Sequence, residues 1–409
     1  MIPHLFRSLI FPFPSSVHRA SRLLHSTYIH PYVESMRFIA RIPRLDAARI
    51  GPSLQFIIFA LPRMVYLRSL AINFDCPAEL YEYIRDSKQI KQLVWTRLAS
   101  NVNNPEQAQC RLEAITFSAV RNSYIPAGLI IESASTLKSL SVDSQEYLYT
   151  LWGLTRTRPF SNLISFTFSG LNAVVEPHII RDILELCPSL TTLHLVSTLH
   201  NHFLLSPGAL PRLNTLNAGP NGFVLRFVEG RPVRRLFANP ITLTSFNSWG
   251  HLLQNCSFSL LHVWIEYTFA NSFFTNLNRA LIHCEDLAVH VQIGSTVRHF
   301  LSFTILISHL TPIQPSDVAL TTLITWLAAP NLVDFSLTVV VTAGRSWEIG
   351  SQPPFRMWLG DVCGGSPNLQ QLTVKYCRGL QTEGNFHARR LSDGEWVVRA
   401  QLERILLRT

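Results

Sequence analysis

An α/β solenoid is the fold class this sequence predicts: short parallel strands stacked one repeat at a time, with helices and irregular segments returning along the outside. Three observations predict it. A short apolar pattern recurs along the chain, its copies keep a nearly constant spacing, and several segments between copies have helical periodicity and end at proline.

The pattern is an apolar residue, two variable ones, an apolar residue, one variable and an apolar residue. It is clearest at Leu67 (LRSLAIN), Leu112 (LEAITFS), Leu137 (LKSLSVD), Leu163 (LISFTFS), Leu190 (LTTLHLV), Leu213 (LNTLNAG), Leu260 (LLHVWIE), Leu332 (LVDFSLT) and Leu369 (LQQLTVK), with weaker copies at Val33, Ile90, Val233 and Cys284. From Leu67 to Cys284 successive starts are separated by 23, 22, 25, 26, 27, 23, 20, 27 and 24 residues. These match the period of leucine-rich repeats, roughly 20–29 residues. The intervals from Val33 to Leu67, Cys284 to Leu332 and Leu332 to Leu369 are longer, so each holds an insertion or an unrecognised copy.

The second half of each copy alternates, which suits a short strand with every second residue on one side. One such strand cannot bury its face alone, whereas parallel stacking makes a continuous inner sheet. Between the strands, Glu176 to Leu186, Phe273 to Ile282 and Asp317 to Leu327 have helical spacing. Cys187-Pro188 and Ala329-Pro330 supply stops, because proline cannot continue a helix. Near the C-terminus, Phe386 to Leu391 and Glu395 to Arg399 flank Ser392-Asp393-Gly394, a hairpin signal. The organisation read from this is a degenerate or disordered leader over residues 1–32, an irregular solenoid over 33–377, and a cap over 378–409. The cap comprises the hairpin and a short helix from Ala400 to Leu407, and it hides the last apolar face. In the leader, Arg7, Arg19 and Arg22 precede the first acidic residue, Glu34, and two readings stand: a mitochondrial presequence or a degenerate leader broken by Pro3, Pro12 and Pro14.

The stretches ILELCPSLTTLHLVS (Ile183 to Ser197), SPNLQQLTVKYC (Ser366 to Cys377) and APNLVDFSLTV (Ala329 to Val339) resemble the irregular leucine-rich repeats of F-box proteins, particularly the expanded fungal type. The F-box motif itself does not occur in the sequence. The resemblance implies a substrate-recognition subunit of a cullin-type ubiquitin ligase, in which repeats hold a protein target and a Skp adaptor links the chain to the cullin complex.

Composition bounds the alternatives. Hydrophobic residues make up 47% and charged residues 15%, enough apolar surface for a continuous core. The net charge of +9 is scattered, and its densest cluster, Arg226, Arg231, Arg234 and Arg235, is interrupted by Glu229. This reads as a basic surface rather than a nucleic-acid stripe. Seven cysteines without a C-x-x-C pair point to reduced thiols, hence a cytoplasmic or nuclear protein, with mitochondria as the alternative. No apolar run is long enough to span a bilayer, so no membrane partner is expected.

Neither a Walker loop nor G-x-G-x-x-G, G-x-S-x-G or H-E-x-x-H occurs, and the chain reads as a non-catalytic protein without a cofactor. His194, His200 and His202 lie close in sequence but lack a completing carboxylate or cysteine, so no metal is predicted. The expected function is binding of a protein target on the concave face, where positions 3, 5 and 7 of each copy point while positions 1, 4 and 6 face the core. Early copies place small residues there. Later copies present His194, then Arg235 and Phe237, then His262, Trp264 and Glu266, then Asp286 and His290. In this alignment Trp264 lies between Phe237 and Ala288, with Arg235, His262 and Asp286 in one flanking row and Asn239, Glu266 and His290 in the other. A register slip of one residue is the competing reading, and it makes Trp264 core.

Overall fold

The computed structural model describes residues 6–13, 21–23, 25–40, 47–74, 78–96, 109–118, 127–155, 158–170, 175–195, 204–218, 227–241, 256, 258–266, 280–293, 331–341, 366–378, 381–392 and 394–401. The chain is α/β, with a mostly parallel sheet. Its contacts divide it into two units, Met1–Arg212 and Leu213–Thr409.

In the first unit, eight strands follow one another in chain order: β1 (Ser8–Phe13), β2 (Ser35–Ala40), β3 (Ser69–Ile72), β4 (Gln92–Thr96), β5 (Ala114–Ser118), β6 (Ser139–Val142), β7 (Ser165–Phe168) and β8 (Thr192–Leu195). Each pairs in parallel with the next. A repeated backbone clamp fixes the register. The carbonyl at position 2 of one copy accepts from the N–H groups of positions 2 and 3 of the next: Arg68 and Ser69 both donate to Glu34 O at 2.8 and 3.1 Å, and Lys91 and Gln92 to Arg68 O at 2.8 and 2.9 Å. The same clamp joins β1 to β2, since Glu34 and Ser35 both donate to Arg7 O at 2.9 Å. Residues 8–13 are therefore a strand of the ladder, not part of a disordered leader. Their copy begins at Phe6, with Leu9 and Phe11 at positions 4 and 6.

Alternation sorts the side chains as the repeat physics requires. Leu70 and Ile72, Leu93 and Trp95, Ile115 and Phe117, Leu140 and Val142, and Phe166 and Phe168 are all buried at positions 4 and 6, while positions 3 and 5 stay half-exposed or, at Gln92, exposed. Helices cover the buried side: α1 (Ala47–Ala60), α2 (Ala78–Asp86), α3 (Ala127–Ser133), α4 (Gln145–Thr155) and α5 (Pro177–Glu185). Tyr81 of α2 meets Trp95 of β4 with ring centroids 6.3 Å apart, and Tyr147 of α4 meets Phe117 of β5 edge-on at 6.0 Å. In α5, proline opens the first turn, where its missing N–H costs nothing, and Ile179, Ile180, Ile183 and Leu184 form one buried stripe. Each such side chain contributes about 1.5–3 kcal/mol by leaving water. The chain then leaves the helix at Cys187-Pro188. Neighbouring helices are joined at Trp152, whose indole N–H donates to Asp182 Oδ2 at 3.0 Å.

In the second unit the strands are β9 (Thr215–Ala218), β10 (Arg235–Ile241), β11 (Leu260–Glu266), β12 (Asp286–Ile293), β13 (Asp334–Val341), β14 (Gln371–Arg378), β15 (Gln381–Arg390) and β16 (Trp396–Gln401). Pairing is parallel from β9 to β14 and antiparallel from β14 through β16. Across the three long intervals β2 pairs directly with β3, β12 with β13 and β13 with β14, so among the described residues no further strand stands between them in the ladder. At the hairpin the Leu391 N–H donates to Glu395 O at 2.7 Å, and Gly394 takes φ +88°, a conformation costly for any residue with a Cβ. Ala400 and Gln401 end β16, where the sequence predicts the start of a helix; residues 402–409 lie outside the described ones. Ala280–His283 forms a 3-10 turn in place of the end of the helix expected over Phe273 to Ile282. The rest of that segment, and the helix expected from Asp317 to Leu327, lie outside the described residues. Among the described residues, no helix is long and apolar enough to cross a membrane.

Candidate functional site

The second unit presents the chemically richer face. Leu236, Ala238, Leu261, Leu287, Val289, Phe335 and Leu372 are buried on one side of its strands. The residues alternating with them form the open face.

Cross-strand pairing corrects the alignment read from sequence. Leu260 pairs with Arg235 on one side and Asp286 on the other, both at position 3 of their copies. Ser259 and Leu260 donate to Arg234 O, and Glu285 and Asp286 donate to Ser259 O, so Ser259 occupies position 2. This copy therefore begins at the buried Phe258, not at Leu260. Two frames fit the apolar pattern here, Phe258, Leu261 and Val263 or Leu260, Val263 and Ile265, and the pairing selects the first. The frame moves by two residues, so the alternation survives but the rows change. His262, not Trp264, stands between Phe237 and Ala288. Trp264 pairs with His290, and Glu266 pairs with Gln292. Asn239 falls in a register shift of β10 between Ala238 and Ile241, beside Pro240, which has no N–H for a ladder and so favours a bulge. The side chains of Trp264, Glu266 and His290 lie outside the described residues.

Four of the predicted residues meet or adjoin one another. The Phe237 and His262 rings are edge to face, 4.9 Å between centroids and 79° between planes. His262 Nε2 lies 3.1 Å from Asp286 Oδ1, the ring N–H donating to the carboxylate. Both side chains are partly exposed, at 34% and 41%, so the contact is reachable from solvent. Arg235 is exposed one strand pair away, opposite Leu260. His262 is the hinge of this arrangement, with one edge against an aromatic ring and one nitrogen on an acid. The eighth predicted residue, His194, belongs to the first unit, beside Thr167 at position 5 of β8; partial burial lowers its affinity for a proton.

The same row continues into residues that sequence reading did not single out. Asp286 pairs with Asp334 of β13, and Asp334 with Gln371 of β14. Thr373 Oγ1 and His387 Nδ1 are 3.0 Å apart across β14 and β15. Burial, and then the neighbouring Asp286, raise the Asp334 carboxyl above its ordinary value, while His387 opposes them. Applying the position rule to the copies at Leu332 and Leu369 yields Asp334 and Thr373. Only the antiparallel return of β15 brings His387 to the face.

At the leading edge of these strands lies a cleft of about 1430 Å³, lined by Arg231, Arg234, Glu285, Asn331, Asn368 and Gln370 among others. It splits the basic cluster noted in sequence. Arg234 lines the cleft, Arg235 stands on the open face, and Arg231 Nη1 donates to the carbonyls of Phe227 and Glu229 at 3.4 and 3.1 Å. Among the described residues, no group of three histidine, cysteine or acidic side chains is arranged to hold a metal. Cys187 and Cys284 are buried, and burial pushes their thiols up to about 12, far from the thiolate form that nucleophilic chemistry needs. No described protein family matches this chain, and no curated protein sequence matches it either.

Proposed function

We propose that the chain is a leucine-rich-repeat solenoid that binds another protein through the open face of its second unit, without catalysing a reaction. The observation that carries this reading is the contiguous set Phe237, His262 and Asp286, with Arg235 beside it. A phenylalanine ring and an exposed arginine are residue types enriched at protein interfaces, and here an imidazole bonded to an acid stands with them within three strands. In-register parallel pairing supports the reading further, because it holds these side chains at fixed spacing without side-chain rearrangement on binding. The resemblance to F-box leucine-rich-repeat proteins extends the proposal to substrate recognition for a cullin-type ubiquitin ligase with a Skp adaptor. A free-standing scaffold is the alternative.

Affinity purification of the tagged full chain from its native cells, followed by mass spectrometry, tests both levels. A reproducible partner lost from the Phe237→Ala/His262→Ala double variant, with the circular dichroism spectrum and melting temperature retained, supports the binding face. Skp and cullin subunits among the co-purified proteins support the ligase role, and their absence leaves the scaffold. A partner set indifferent to the double variant overturns the assignment of the face.

A further inference from the structure

We propose that the cleft at the leading edge of the second unit binds a peptide in the polyproline II conformation, one that carries an acidic and a basic side chain three residues apart. The site is separate from the open face, because it lies where the strands begin, and the repeat itself builds its floor. Arg234, Ser259, Glu285, Val333 and Gln370 stand immediately before β10, β11, β12, β13 and β14, in one row fixed by the backbone clamp, and all of them line the cleft. At the parallel-strand spacing of about 4.8 Å the row is about 19 Å long, which matches roughly six residues of polyproline II at about 3.1 Å each.

The charges of this row do not meet one another. In the first unit, opposite charges at position 2 fall on adjacent copies and pair, Arg7 with Glu34 at 3.4 Å and Lys138 with Glu113 at 2.8 Å. Here Ser259 stands between Arg234 and Glu285, which sets their backbones two strand intervals apart, about 9.6 Å. Both side chains are exposed, and among the described residues neither forms an ion pair. Arg231, at the same end of the cleft, donates to the carbonyls of Phe227 and Glu229 and offsets the Glu229 carboxylate, so Arg234 supplies the cation. A peptide answers both open charges when its carboxylate and its ammonium lie on one side at that separation. Polyproline II has three residues per turn, which places side chains i and i+3 on one side about 9.3 Å apart. A β-strand of the same reach puts them on opposite sides. Polyproline II also lacks internal hydrogen bonds, so its carbonyls are open to amide donors. The far half of the cleft supplies these in Asn331, held in place by donating to Ile282 O at 2.6 Å, and in Asn368 and Gln370 beyond it.

Fluorescence anisotropy of end-blocked, labelled proline-rich peptides with the full-length protein tests this. Each probe carries one glutamate and one lysine separated by one, two or three prolines, and control probes carry two glutamates or two lysines at the two-proline spacing. The mixed probe with two prolines is expected to bind about fivefold more tightly than the other spacings and than either control, as exchanging a surface attraction for a repulsion dictates. Arg234→Glu should turn the preference to the two-lysine probe and Glu285→Arg to the two-glutamate probe, a reversal that an unfolded variant does not produce. Phe237→Ala/His262→Ala should leave every probe's affinity unchanged, which separates this cleft from the partner face proposed above. Loss of probe binding in that double variant places the peptide on the open face and overturns the proposal. Absence of binding by every probe at millimolar concentration overturns it too, as does an order of preference that neither charge reversal changes.

Discussion

The two units obey one packing rule and present opposite surfaces. In the first, the open face at β5 to β7 is a lattice of small side chains: Ala114, Thr116 and Ser118, then Ser139, Ser141 and Asp143, then Ser165 and Thr167. In the second, the equivalent rows hold Arg235, Phe237, His262, Asp286 and Asp334. On the buried side the difference vanishes, since Phe166 and Phe168 at positions 4 and 6 in one unit correspond to Leu287 and Val289 in the other. The core positions are thus constrained by stacking alone. The outward positions are free to differ, and between the two units they do.

Substitutions can break or sharpen that contrast, beginning with the largest effect. Phe166→Ala in β7 and Leu287→Ala in β12 each remove a fully buried side chain, and each should cost about 2–5 kcal/mol in denaturant unfolding. Comparable losses in both units are expected from a shared core rule, and a neutral result at either position breaks it. On the open face, Phe237→Ala/His262→Ala should weaken partner affinity at least tenfold, ~1.4 kcal/mol or more, whereas Ser141→Ala/Thr167→Ala should leave affinity within about twofold. Titration calorimetry with the purified partner reads both, and equal losses erase the contrast between the faces. Gly394→Ala, at φ +88°, should lower stability by roughly 1–2 kcal/mol without altering partner affinity, because the strain lies in the hairpin turn.

The smallest effect depends on pH. Asp334 has a higher proton affinity in the folded protein than in the unfolded chain, for reasons of burial and the adjacent Asp286. Its contribution to stability is therefore complete below the unfolded carboxyl value and is lost as pH rises through the folded one. Asp334→Asn removes that loss. The variant should melt above the unaltered protein at pH 7, and the gap should close as pH falls toward 4. A constant gap across that range contradicts the linkage.

Much of the architecture is legible because stacking imposes a period. Apolar side chains at positions 1, 4 and 6 are what a strand must offer to the helices behind it and the strands beside it, so most copies from Leu67 to Leu213 declare themselves. The copy at Phe258 is obscured because Leu260, Val263 and Ile265 fit the same pattern two residues further on. There a pattern of apolar letters has two solutions, and only the position-2 clamp chooses between them. The site was half visible for the same reason. Phe237, His262 and Asp286 follow from parity, which a two-residue shift preserves, whereas their contacts depend on the row, which it does not. His387 was beyond reach, because its place is set by a strand that runs against the repeat.

The direct pairing of β12 with β13 carries a consequence for how such a protein can change over generations. Ile293 ends one strand and Asp334 precedes Phe335 in the next, yet the two strands meet in register as though adjacent in the chain. Lengthening a loop whose ends are already held costs only about 0.6 kcal/mol per doubling. Sequence can therefore be gained or shed between these strands while Asp286 and Asp334 keep their places. The strand register, and not the length of chain between the two strands, fixes where the neighbouring side chains stand.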